Sequence, residues 1–135
     1  MTEYLLPRNG AAPLAFCGEI IAEASSRKDG KRHAAKQWYE ATIYRTAGGF
    51  AVAATYRTAW AHERECRWAE SVPNAAAAVA WLQGIDHLEP VAGFPEGRQF
   101  ESKQARLEDS LTDQWEWLIG EILVQAGAAF AESVE

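Results

Sequence analysis

The chain has 135 residues, of which 48% are hydrophobic and 24% are charged, so its length and composition fit one soluble domain with a buried core. The formal net charge of −6 argues against a general nucleic-acid-binding protein, because affinity for a phosphate backbone comes chiefly from Lys and Arg. No stretch reaches the roughly 20 apolar residues that span a bilayer, and the N-terminus lacks the pattern of a secretory peptide, so we expect a cytoplasmic protein without membrane contact.

The N-terminal part of the chain predicts an arm followed by one strand. We assign residues 1–12 to the arm. From Leu14 to Glu23 the alternation of apolar and polar residues predicts a strand with Glu19 and Glu23 facing outward. The residues expected to face inward are Leu14, Phe16, Ile20 and Ala22. A basic loop follows, with one acid, Asp29, among the basic residues Arg27, Lys28, Lys31, Arg32 and Lys36.

Two adjacent glycines predict a β-hairpin. Gly48 and Gly49 separate two runs rich in β-branched and aromatic residues, so we expect them to be the two loop residues. In that register Glu40 faces Arg57. One face collects the expected core residues Tyr39, Ala41, Ile43, Phe50, Val52, Ala54 and Tyr56. The other face is expected to look toward solvent and carries Trp38, Glu40, Thr42, Tyr44, Thr46, Thr55 and Arg57.

A further strand completes the predicted sheet. Between Glu63 and Glu70 charged residues alternate with Cys66 and Trp68, which is typical of a half-buried strand. The predicted sheet is therefore a four-stranded antiparallel meander. Downstream, Pro73 or Asn74 and then Gly84 mark the start and the end of a short helix.

The C-terminal part predicts a long amphipathic helix. Pro and Gly residues among charges assign 85–110 to an irregular connection, although a helical turn or two would fit within it. A capping box at Ser110 predicts the start of the helix. Its apolar stripe is formed by Leu111, Trp115, Leu118, Ile119, Ile122, Leu123, Ala126 and Phe130. The predicted fold class is α+β, one domain over 1–135, with this helix packed on the sheet.

No pattern of catalytic residues or cofactor ligands is present in the sequence. His62 and Cys66 have the spacing of zinc ligands on a helix, but on a strand their side chains lie about 13 Å apart. Neither His33 nor His87 has a carboxylate at a spacing that would mark the histidine as a general base. We therefore predict a protein without enzymatic activity, cofactor or metal. Cys66 and Cys17 are expected to be small buried thiols.

The sequence favours binding of a protein partner. The chain carries acids but no Lys or Arg after Leu107, and it has six tryptophans, a residue enriched among binding hot spots. Trp115 and Trp117 lie about 200° apart around a helix, so one of them faces outward unless the predicted 85–110 connection covers it. Our leading hypothesis is an interaction protein that binds, and through binding inhibits, a basic partner, as an immunity protein, antitoxin or anti-defence factor would. The candidate partner-binding residues are Trp38, Glu40, Tyr44, Arg57, Glu116, Trp117 and Glu121. An exposed sheet edge or the long helix would also allow a homodimer.

The alternative hypothesis is binding of single-stranded nucleic acid. The basic loop would grip phosphates while neighbouring aromatic rings stack on bases. Its candidate residues are Arg27, Lys28, Lys31, Arg32 and Lys36, together with the Trp38, Tyr44 and Arg57 face. The overall negative charge weighs against it.

Several short segments resemble small uncharacterised accessory proteins of plasmids, integrative elements and phages. They are Phe16-x-Gly18, Ala22 to Ser26, Tyr44 to Gly49, and Leu111-Thr112-Asp113. The resemblance implies an accessory role and no catalytic residue. A four-stranded meander followed by a helix is also similar in outline to single-strand-binding coactivator folds of the Whirly kind, and that likeness is one of topology alone.

Overall fold

One antiparallel sheet of five strands and two helices form the protein in this computed structural model, which describes residues 1–28, 36–60, 64–91 and 98–134. The strands neighbour one another in chain order and are β1 (Thr2–Arg8), β2 (Ala11–Ser25), β3 (Gln37–Thr46), β4 (Gly49–Thr58) and β5 (Cys66–Val72). The helices are α1 (Ala75–Gly84) and α2 (Arg98–Val134), and short 3-10 turns occur at Ser26–Lys28 and Glu89–Val91. The α+β prediction is confirmed.

The predicted number of strands was too small by one. Residues 1–12 are not an arm, because they form β1, a tight turn and the start of β2. Gly10 adopts a positive φ of 75° in that turn, and an Asn-Gly pair is a strong hairpin signal that the prediction did not use. Tyr4 consequently pairs with Phe16 across the two strands.

The β3–β4 hairpin forms where two glycines predicted it, with a register shifted by two residues. Thr46 pairs with Gly49, so the loop residues are Ala47 and Gly48 rather than the two glycines. Trp38 rather than Glu40 is therefore the residue opposite Arg57. A shift of two residues keeps every side chain on its face, because side chains alternate with a period of two. The predicted split between the two faces of this hairpin is therefore correct.

A β-bulge divides β2 into two halves that present opposite faces. Ile20 pairs with Tyr44, whereas Ala22 pairs with Ile43, so Ile21 is the extra residue. The prediction that Leu14, Phe16, Ile20 and Ala22 share an inward face is wrong for this reason: Ala22 lies in the main core, and the other three lie on the opposite side of the sheet.

The main core lies between one face of the sheet and α2. The helix crosses β2 and β3, and its predicted apolar stripe is confirmed by the buried residues Leu111, Trp115, Leu118, Ile122, Ala126 and Phe130. The helix begins at Arg98 and not at Ser110, so the latter half of the predicted 85–110 connection is helical. The last helix-breaking residues, Pro95 and Gly97, precede Arg98, and nothing between Arg98 and Ser110 interrupts a helix.

The short helix α1 has the predicted start and end. The Asn74 side chain accepts a 2.8 Å hydrogen bond from the backbone N–H of Ala77, which is an N-cap. The helix packs against β4 and α2 and buries Ala75, Ala78 and Leu82. Within the described ranges, no helix combines the length and the apolar character needed to cross a membrane.

Candidate functional site

The face of the sheet that points away from α2, here called the helix-free face, is half covered by the β1–β2 hairpin. Ring centroids of Tyr4 and Tyr44 lie 4.7 Å apart, although β1 and β3 are not neighbours in the sheet. Phe16 completes the cluster at 4.9 Å from Tyr44. For this contact to form, the sheet has to curl so that its helix-free face is the concave side.

The curl brings the two edge strands together at one point. The backbone N–H of Asn9 donates to the carbonyl oxygen of Arg67 at 2.9 Å, and the N–H of Arg67 donates to Oδ1 of Asn9 at 2.6 Å. Tyr44 is only 7% exposed as a result. It lies on the predicted face, but the expectation that it is open to solvent is wrong, because the hairpin covers it. Burial also raises the pKa of Tyr44.

The uncovered half of the helix-free face is a cleft of about 430 Å³, which we call the β2–β3 cleft. It lies where β2 ends and β3 begins, beside the 3-10 turn. Its lining residues are Glu23, Ala24, Ser25, Arg27, Trp38, Glu40, Ala41 and Thr42. The cleft thus combines an aromatic ring, hydroxyls and charges of both signs, with two predicted partner-binding residues among them.

Trp38 is held in one orientation at the edge of this cleft. The guanidinium carbon of Arg27 lies 3.8 Å from the centre of the indole ring, which is a cation–π contact. The indole N–H is directed at Oε2 of Glu40, 3.4 Å away. Trp38 itself remains half-buried. Its ring is therefore both accessible in part and already positioned, which lowers the entropy cost of binding through it.

A chain of ion pairs extends from the cleft across the sheet. Arg57 Nε lies 2.8 Å from Glu40 Oε1, and Arg57 Nη1 lies 3.1 Å from Glu65 Oε2. Glu65 in turn pairs with Arg67 at 3.0 Å. The hydrogen bonds that Arg57 donates to Glu40, and then those that it donates to Glu65, raise the pKa of its guanidinium. The predicted Glu40–Arg57 pair is present, although the two residues are diagonal rather than opposite neighbours.

Glu23 is the second carboxylate that lines the cleft. Its backbone N–H donates to Oε1 of Gln125 at 3.1 Å, which fixes this part of β2 against α2. The side chain is exposed, and its carboxylate forms no ion pair with any residue in the described parts of the chain. The alternation along β2 predicted an outward position for Glu23 but no functional role.

The predicted acidic residues of α2 lie on the other side of the molecule. Glu116 is exposed, and Glu121 is half-buried. Trp117 is also half-buried and packs against the edge of the main core, so it is neither fully outward nor enclosed. Since α2 covers the sheet face opposite the cleft, these residues and Trp38 belong to two separate surfaces.

The predicted basic residues are only partly placed by the structure. Arg27 lies over Trp38, and Lys36 is exposed, with its carbonyl oxygen accepting from Ala59 N–H at 2.7 Å. Lys28 is described through its backbone, as the end of the 3-10 turn. Lys31 and Arg32 lie outside the described residues.

His87, the one histidine within the described ranges, belongs to a packed cluster of side chains. His87 Nε2 lies 2.9 Å from Thr112 Oγ1, and its ring stacks on Trp115 with centroids 5.7 Å apart. The Tyr39 hydroxyl donates to the carbonyl oxygen of His87, and burial raises the pKa of Tyr39. Desolvation lowers the pKa of His87. These contacts join the segment after α1 to α2 and β3.

Neither cysteine belongs to a group of three or more metal-ligating side chains in the part of the chain that the structure describes. Cys17 is exposed, so the prediction of two buried thiols is wrong for Cys17, and Cys66 is only half-buried. His33 and His62 are outside the described residues. Within the described ranges no group of three or more metal-ligating side chains occurs. Cys66 begins β5, in agreement with the strand predicted around it.

Comparison of the chain with protein-family models, with curated proteins and with solved structures finds no match.

Proposed function

We propose that this chain is a non-enzymatic interaction protein that binds another protein through the β2–β3 cleft. The observation that carries the proposal is the orientation of Trp38, whose ring is held between Arg27 and Glu40 in a cleft that neither α2 nor the β1–β2 hairpin covers. A positioned, half-buried Trp at a concave surface has the properties of a binding hot spot.

The charges around the cleft favour a protein partner over a nucleic acid with its uniformly charged backbone. Glu40, Arg57 and Glu65 alternate in sign and hold one another at hydrogen-bond distance. Such an arrangement supplies both donors and acceptors at fixed positions, which gives orientation and specificity more than raw affinity. Inhibition of the partner, in the manner of an immunity protein or antitoxin, is the form of this proposal that the resemblance to accessory proteins of mobile elements suggests.

Single-stranded nucleic acid is the less favoured partner. The stack of Arg27 on Trp38 supports it, because the same pair of groups contacts bases and phosphates in other proteins. Against it, Arg57 is already bound by two carboxylates, Tyr44 is buried, and Glu23 and Glu40 would repel phosphate.

Site-specific photo-crosslinking tests the proposal directly. A benzoylphenylalanine at Thr42 would place the reactive group in the cleft, and the matched control would carry it at Gln83, on the exposed side of α1. In living cells of the source organism we expect one protein adduct from position 42 and none from position 83. Thermal melting would establish that both variants fold.

The other outcomes of this experiment decide between the alternatives. A ribonuclease-sensitive or deoxyribonuclease-sensitive adduct at Thr42 would replace the protein partner by nucleic acid. Adducts of equal yield at both positions, or none at Thr42, would contradict the proposal. A third probe at Glu116 examines the acidic surface of α2, which we propose as a second contact site together with Trp117 and Glu121.

A further inference from the structure

We infer that the β2–β3 cleft accepts an arginine side chain of the protein partner between Glu23 and Glu40. This inference rests on the proposed function and specifies the chemistry that the cleft recognises. It assigns a role to Glu23, which was not among the predicted site residues.

The strand register places the two carboxylates as diagonal neighbours. Glu23 pairs with Thr42, and Ser25 pairs with Glu40, so all four side chains are on the helix-free face. Diagonal neighbours across two antiparallel strands are roughly 7–8 Å apart, within reach of a long side chain placed between them. A guanidinium entering the cleft can therefore meet both carboxylates at once.

The two carboxylates differ in how far they are already compensated. Glu40 has one oxygen against Arg57 and the other against the Trp38 indole. Glu23 has no ion-pair partner in the described parts of the chain. Arg57 compensates Glu40 from outside the lining, and Arg27 lies over Trp38. Of the two lining carboxylates, Glu23 is therefore the one that favours an incoming cation.

The surroundings favour a guanidinium over a compact cation. Arg27 shows that the cleft admits a guanidinium over the Trp38 ring, with its central carbon 3.8 Å from the ring centre. A planar guanidinium also offers several N–H groups in a fixed fork, which suits two separated carboxylates and the hydroxyls of Ser25 and Thr42. A metal ion fits poorly, since no set of three ligating side chains occurs within the described ranges.

An NMR titration of the full, isotope-labelled chain tests the inference. The probe is the peptide acetyl-Gly-Arg-Gly-amide, and its uncharged analogue with citrulline in place of Arg is the control ligand. We expect the arginine peptide to shift the Trp38 indole N–H and the amides of Glu23 and Thr42. We expect citrulline to shift them at least fivefold less at the same concentration.

Two matched variants locate the effect. Glu23→Gln removes the uncompensated charge and should weaken binding of the arginine peptide at least fivefold. Glu3→Gln removes an exposed carboxylate on β1, outside the cleft, and should leave binding unchanged. Both side chains are exposed, so both variants are expected to fold.

Several results would overturn the inference. They are the absence of any shift, equal shifts with both peptides, and binding that survives Glu23→Gln. A crosslinked protein at Thr42 combined with one of these results would refute only the arginine site and leave the proposed function standing. Loss of the crosslink with intact arginine binding would refute the protein partner instead.

Discussion

The hydroxyl of Ser26 and Oε1 of Gln114 form a 2.8 Å hydrogen bond, and both residues are almost completely buried. Ser26 Oγ also accepts from the backbone N–H of Tyr39, and Gln114 Nε2 donates to the carbonyl oxygen of Gln37. This small polar network fastens the 3-10 turn and the start of β3 to α2. It thereby fixes the backbone on both sides of the contact between the neighbouring residues, Arg27 and Trp38.

Replacement of Gln114 should destabilise the protein. In Gln114→Ala the buried Ser26 hydroxyl loses its acceptor, and an unsatisfied buried group costs about 1–3 kcal/mol before relaxation. We expect the free energy of unfolding to fall by about 2 kcal/mol in urea denaturation. Gln83→Ala, at an exposed position of α1, is the control and should change it by less than about 0.5 kcal/mol. Equal effects of the two substitutions would contradict the network.

The covering of Tyr44 by the β1–β2 hairpin leads to a second prediction. Tyr4 packs its ring on both Phe16 and Tyr44, whereas the adjacent Leu5 is 67% exposed on the other side of β1. We expect Tyr4→Ala to lower the free energy of unfolding by about 2 kcal/mol and Leu5→Ala to change it by less than about 0.5 kcal/mol. Urea denaturation of both variants measures the difference. If residues 1–12 were an arm, the two substitutions would be equivalent.

Local patterns predicted those parts of the fold that depend on neighbours in the sequence. The two faces of β3 and β4 follow from alternation, and the stripe of α2 follows from helical spacing. The bounds of α1 follow from Asn74 and Gly84. The start of α2 was misplaced because a capping box at Ser110 is also compatible with the interior of a helix that begins earlier.

The candidate site depended on features that no local pattern contains. Ile20 and Ile21 are both apolar, so the sequence gives no sign of which one is the extra residue of the bulge. The bulge and the curl of the sheet bring Tyr4 onto Tyr44 and close half of the predicted surface. The Glu40–Arg57 contact was predicted in the wrong register, and it forms nonetheless because long side chains reach a diagonal neighbour.

The two glycines of the β3–β4 turn should respond differently to substitution. Gly49 has φ +145°, and a Cβ there would collide with the carbonyl oxygens of Val72 and Pro73. A Cβ at Gly48 would instead extend into open space, with no atom within 4 Å apart from those of its chain neighbours. We expect Gly49→Ala to cost about 2–3 kcal/mol of unfolding free energy and Gly48→Ala less than about 1 kcal/mol. Thermal denaturation of the two variants would show this, and the reverse order would refute the observed register.

The buried position of His87 predicts a loss of stability in mild acid. Desolvation is the largest influence on this imidazole and lowers its pKa below the usual 6.5. The unfolded chain therefore takes up a proton at higher pH than the folded chain, so the stability contributed by neutral His87 is present above pH 6.5. It decreases as the pH falls through 6.5 toward the lowered folded-state pKa. Asp86 and Glu116 act in the opposite direction and limit the shift.

A comparison of pH profiles isolates this contribution. The free energy of unfolding would be measured by urea denaturation between pH 5 and pH 8 for the unmodified protein and for His87→Asn, which lacks a group that titrates in this range. We expect the difference between the two proteins to shrink as the pH falls below 6.5, because only His87 loses stability by protonation. A difference that stays constant over the range would show that burial does not disfavour the charged imidazole, and that its stacking on Trp115 tolerates a proton.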